Sequence, residues 1–267
     1  MHRYLHEASY KSLLLQMQFG EVAISSGTGF VVNSVRGPVL LTNRHNVTGR
    51  HQDTDAPLSS TGAIPDNILI AHRSRRLGGV VVIDDGDRYP DTVFRRQELY
   101  EPGSEKPLWL EHPVLGRNAD FVALPLTQLE GVDLLPYDLG ETFPRCHVGP
   151  ASTVSVVGFP FAIPIGPFTA IWATGFVASE MDFDYGNLPL FLIDCRSRPG
   201  QSGSAVIAHQ SGGMHLCEMP DGTLQNMVVD GTTSRFLGIY SGRINNESDL
   251  GKVWKVSAIK ELVDSIR

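Results

Sequence analysis

The sequence predicts an all-β chain with a helix at each end, and three observations lead there. Its 267 residues include 27 glycines and 17 prolines, and turn signals recur between short apolar runs. Hydrophobic residues make up 42% of the chain, enough to fill the core of one large domain or of two packed halves. At the C-terminal end Ile259, Leu262, Val263 and Ile266 repeat at i, i+3, i+4 and i+7, the pattern of an amphipathic helix.

Taken in order, residues 1–18 predict the first helix, because Tyr10, Leu13, Leu14 and Met17 share one helical face. Gly27-Thr28-Gly29-Phe30-Val31-Val32 and Leu40-Leu41-Thr42 flank a turn at Arg36-Gly37-Pro38 and read as a hairpin, with His45 just past its second strand. Further on, Gly79-Val80-Val81-Val82-Ile83 reads as a strand ended by a turn at Asp84-Asp85-Gly86-Asp87. Asp120 heads the apolar run Phe121-Val122-Ala123-Leu124. Residues 140–149 read as a linker. No internal repeat or low-complexity tract interrupts the pattern.

The chemistry is concentrated in Arg198-Pro199-Gly200-Gln201-Ser202-Gly203-Ser204. A glycine two before a serine, and another right after it, presents the hydroxyl on a tight turn. The amides of Gly200 and Ser202 are then placed to hold a developing oxyanion. His45, at a strand end, suits a general base, although a histidine after a strand is often only a surface residue. An acid entering an apolar strand needs a partner to stay charged. A histidine N–H fits Asp120, and so do nearby backbone amides. Asp91 is the runner-up acid, in a setting that looks like a turn. The chain order His, Asp, Ser excludes an α/β-hydrolase, which runs Ser, acid, His.

These motifs resemble the trypsin-like (chymotrypsin-fold) serine peptidases, of the bacterial type near the high-temperature-requirement and glutamyl endopeptidase families. Besides the three segments above, Val154-Ser155-Val156-Val157-Gly158-Phe159-Pro160 and Gly238-Ile239-Tyr240-Ser241-Gly242 resemble family strands, so the likeness runs from about Gly27 to Gly242. It implies two packed six-stranded antiparallel β-barrels, residues 1–140 with His45 and Asp120 and residues 141–267 with Ser202 and the C-terminal helix. It implies a serine endopeptidase working through an acyl-enzyme on protein or peptide substrates. The other expectation is a catalytically silent or partner-activated fold serving as a regulatory or binding module. The primary pocket would be walled by Arg196 and Ser197 on one side and by Ser241, Gly242 and Arg243 on the other. A buried Arg196 would then favour acidic side chains. The stretch between His45 and Asp120 is long for the family, which implies an insertion within residues 51–112. Gln201 stands where zymogen-type relatives keep an aspartate, which argues against activation by N-terminal clipping.

The net charge of −7 gives no reason to expect nucleic acid or anionic membrane as a partner. His209, His215 and Cys217 lack the spacing of a standard zinc site, and neither metal nor cofactor is expected. Cys146, Cys195 and Cys217 are an odd number with no close pairing in sequence. Together with an N-terminus lacking an apolar signal core, they predict a cytoplasmic protein that needs no disulfide.

Overall fold

The computed structural model describes residues 5–75, 80–83, 87–140, 143–166, 168–245 and 247–267, with the backbone alone at 80–83 and 87–90. Among the described residues the expected N-terminal helix is one turn, α1 (Ala8–Lys11), and the chain then runs extended as β1 (Ser12–Phe19). Leu13, Leu15 and Met17 are all buried, which is the two-residue period of a strand. Leu14, on the opposite face, packs against a second core cluster. Leu14 beside Leu13 lets the run also satisfy a helical pattern, and here pairing decides. β1 lies between β2 (Val22–Ser34) and β4 (Asn67–Arg73), with Leu15 opposite both Gly27 and Ile70.

The predicted hairpin forms from β2 and β3 (Gly37–Thr42), paired from Phe30↔Leu41 to Ser34↔Gly37. They belong to a seven-stranded sheet in the order β7-β4-β1-β2-β3-β9-β8. Its other members are β7 (Thr92–Glu98), β8 (Leu110–Glu111) and β9 (Val122–Pro125). Three strands of this sheet, β4, β7 and β8, come from the stretch within which an insertion is expected. Between β4 and β7, β5 (Val80–Ile83) pairs with β6 (Asp87–Pro90). Of the turn expected at 84–87, residues 84–86 lie outside the described residues and Asp87 begins β6. In the first half the main sheet has seven strands, and its end strands β7 and β8 do not pair among the described residues.

The second half closes. β11 (Thr153–Gly158), β12 (Ile171–Val177), β13 (Leu190–Asp194), β18 (Leu250–Lys255), β17 (Thr233–Arg243) and β14 (Ala205–Gln210) form a barrel in that order, filled by Val154, Val156, Phe191, Ile193, Val206 and Val253. A small sheet of β10 (Arg145–Cys146), β15 (Gly213–Glu218) and β16 (Leu224–Val229) is attached to it, so the expected linker carries a short strand. The C-terminal helix forms as predicted: α3 (Val256–Asp264) buries Ala258, Ile259, Leu262 and Val263. These residues share one cluster with Phe30 and Phe121 from the first half and Val157 and Ile239 from the second. The apolar seam between the halves holds their facing edges in fixed register.

Candidate active site

Strand register explains how His45 meets Asp120. β3 and β9 pair with Thr42 opposite Val122. Two residues beyond that pair, the antiparallel chains bring position 120 level with position 44. Asn43 stays extended, and its side-chain amide donates to the Asp120 carbonyl at 2.6 Å. The chain then turns into α2 (Arg44–Thr48), which Gly49 ends in the left-handed region at φ 63°. The His45 backbone N–H donates to Asp120 Oδ1 at 3.1 Å. His45 Nδ1 lies 2.8 Å from Oδ2 and 3.0 Å from Oδ1. The Asp120 side chain is only 4% exposed and that of His45 15%, so the carboxylate depends on these partners. A carboxylate only accepts, so the proton sits on Nδ1 and Nε2 keeps its lone pair.

A further donor completes the carboxylate's shell: Ser241 Oγ donates to Asp120 Oδ2 at 2.6 Å. The pairing of β17 with β18 slips between Tyr240 and Gly242, making Ser241 the extra residue of a bulge. Such bulges re-aim a side chain, and this one aims a hydroxyl at Asp120. The sequence placed Ser241 in the pocket wall and gave its hydroxyl no role toward Asp120.

The serine turn is held from three sides. Gly200 (φ 94°) and Gly203 (φ 88°) adopt conformations that favour glycine. A Cβ on Gly203 would lie 2.1 Å from the Thr28 carbonyl, and one on Gly200 2.4 Å from the Phe159 carbonyl. Thr28 is fully buried and works as a clamp. Its N–H donates to the Ser202 carbonyl at 2.9 Å, and its Oγ1 donates to the Gly200 carbonyl at 2.8 Å. Asn46, next to His45, donates from Nδ2 to the same Ser202 carbonyl at 3.2 Å. The Gly203 N–H donates to the Tyr240 carbonyl and the Tyr240 N–H to the Ser204 carbonyl, fastening the turn to β17. Buried Gln201 accepts the Arg198 N–H at 2.7 Å. Among the described residues the Gly200 and Ser202 N–H groups have no acceptor, and the Ser202 hydroxyl forms no hydrogen bond with His45.

The expected pocket residues separate. Ser197 is buried and its hydroxyl hydrogen-bonds the buried Tyr240 hydroxyl. Gly242 (φ 116°) and Arg243 continue β17 past the bulge. Arg196, by contrast, has its side chain 84% exposed, with Asp249 3.9 Å away. It is no buried pocket base, because the segment after β13 turns its side chain to solvent. Asp91 serves its own strand start, accepting the Thr92 N–H at 2.8 Å. The possible zinc residues are engaged apart. His209 meets Ser234, His215 meets the Ser211 carbonyl, and Cys217 meets Cys146. Among the described residues no three metal-ligating side chains cluster, and no helix is long and apolar enough to cross a membrane.

The sequence profile of the trypsin-like peptidase domain matches residues 27–214, more than half of the chain. The chain belongs to this family and is a serine endopeptidase acting on peptide or protein substrates. No curated protein sequence matches it significantly. Solved structures similar to it include the serine endoprotease from Yersinia pestis, at 14% identity and TM-score 0.49, with 98% of this chain and 67% of that chain covered. Another is the Rv3671c protease from M. tuberculosis in its active form, at 14% identity and TM-score 0.45, with coverage of 97% and 82%.

Proposed function

We propose that Ser202, His45 and Asp120 form a catalytic triad that cleaves peptide bonds through an acyl-enzyme. The observation that carries this reading is the buried Asp120 carboxylate, which faces His45 Nδ1 at 2.8 Å and leaves Nε2 as a base. Nε2 takes the Ser202 proton as Oγ attacks the substrate carbonyl, and Asp120 stabilises the imidazolium that forms. The Gly200 and Ser202 N–H groups stabilise the oxyanion. His45 then passes the proton to the leaving amine, and water releases the acyl group by the reverse sequence. In the free protein such contacts are often loose and tighten with substrate. The β14–β17 ladder ends at Ala205↔Ile239 while β17 runs on to Arg243. Ser241 and Gly242 thus offer backbone groups to a substrate strand.

The test is Ser202→Ala, which deletes one hydroxyl from the turn. Hydrolysis of an unfolded protein substrate should vanish while the thermal midpoint stays within a degree or two. Retained cleavage would overturn the assignment.

A further inference from the structure

Two of the three cysteines, far apart in sequence, face each other across paired strands. Cys146 in β10 lies opposite Cys217 in β15, and their sulfurs are 4.0 Å apart. The next residues, His147 and Leu216, are joined by a hydrogen bond from the His147 N–H to the Leu216 carbonyl. The cysteines therefore occupy a non-hydrogen-bonded pair, where Cα atoms approach to about 4.5 Å. That spacing lies within the range a disulfide spans. The register is clamped by the neighbouring pair. Glu218 binds Arg145 at 2.6 Å, Arg235 at 3.0 Å and His147 at 3.1 Å, and Arg235 also donates to the Cys146 carbonyl. Both thiols are free, and nothing in the triad uses them.

We propose that Cys146 and Cys217 form a thiol–disulfide exchange site, oxidised to a cross-strand disulfide by a low-molecular-weight disulfide of the glutathione type. Cys146 is the point of entry. It is 8% exposed against 1% for Cys217, and it sits on the short edge strand of the small sheet. Its thiolate attacks one sulfur of the oxidant, the S–S bond breaks, and one reduced thiol leaves after taking a proton from solvent. Cys217 then gives its proton to solvent and attacks the Cys146 sulfur, expelling the second reduced thiol. The two protein thiols are oxidised and one small disulfide is reduced to two thiols. Burial pushes the Cys146 thiol up and the nearby Arg235 charge offsets part of that rise, so exchange runs faster in mild alkali. Cys195 is the internal control. It lies in the barrel core and donates to the Ala173 carbonyl. The bridge would fasten the segment between the two halves to the β15–β16 hairpin, which joins β14, just after Ser202, to β17, which carries Ser241.

The experiment incubates the purified protein with oxidised glutathione, blocks remaining thiols with an alkylating reagent and maps peptides without reduction. The expected product is two hydrogens lighter, retains only the Cys195 thiol and yields a Cys146–Cys217 linked peptide that a reductant dissolves. Its thermal midpoint should rise by several degrees on oxidation, and Cys217→Ala should abolish both the link and the rise. Three alkylated thiols at high oxidant, stable glutathione adducts without a bridge, or a bridge through Cys195 would each overturn the proposal. None of these results depends on peptidase activity, so failure here leaves the triad reading untouched.

Discussion

Replacing Asp120 by asparagine tests the triad through one atom. The carboxylate accepts on both oxygens, Oδ1 from the His45 backbone N–H and Oδ2 from Ser241. In Asp120→Asn the amide nitrogen cannot face the backbone N–H, since both are donors and the backbone cannot invert. It must turn toward His45 Nδ1 and Ser241 Oγ, and the serine hydroxyl can rotate to accept. His45 then has to accept at Nδ1 and carry its proton on Nε2, the wrong tautomer for a base. The imidazolium also loses a charge 2.8 Å away. At an effective dielectric of about 20, that charge is worth roughly 6 kcal/mol, close to 10⁴-fold in rate. The same order follows from disabling the acid of such a triad. The assay is kcat/KM on a chromogenic peptide, with circular dichroism to show that the fold survives. A variant within tenfold of the parent, or a larger loss from Asp91→Asn, would refute the reasoning.

Ser241→Ala removes a charge-assisted bond worth about 1.5–3 kcal/mol, so kcat/KM should fall roughly 10- to 100-fold. A loss below twofold would show that the hydroxyl is incidental. Arg196→Ala should leave the ratio of acidic to apolar substrate rates unchanged, because the side chain is in solvent; a selective loss on acidic peptides would contradict this. His72 is buried, with neither ring nitrogen hydrogen-bonded among the described residues. Burial, then the charge of Arg95, lowers its pKa to about 4. The unfolded chain binds that proton below about pH 6.5, so stability should be full above this pH and fall by about 3 kcal/mol as pH drops to 4. Urea melts at pH 7 and pH 4.5 should show the loss, and His72→Leu should reduce it; parallel curves would count against it.

His45, Asp120 and the serine turn were legible because each sits at the end of a local pattern, a strand or a glycine-flanked turn. What the sequence hid were pairings between distant strands. The Ser241 hydroxyl reaches Asp120 only through a bulge, and a bulge leaves no mark in the side-chain pattern. The Thr28 clamp appears as a Thr between two glycines until β2 is set against the serine turn. Cys146 and Cys217 looked dispersed because a register between two short strands brings them together. Residues 12–19 misled for a different reason: Leu14 between Leu13 and Leu15 interrupts the alternation kept by Leu15, Met17 and the two glutamines, and lets the run fit a helical face. Arg196 misled because its place near the serine turn says nothing about the direction its side chain takes.

The central claim is that Ser202 is a nucleophile activated by His45. The most direct measurement treats the protein with a fluorophosphonate probe and locates the adduct by peptide mass spectrometry. One adduct is expected, on Ser202, absent from Ser202→Ala and strongly slowed in His45→Ala. Labelling at another residue, or equal labelling without His45, would contradict it.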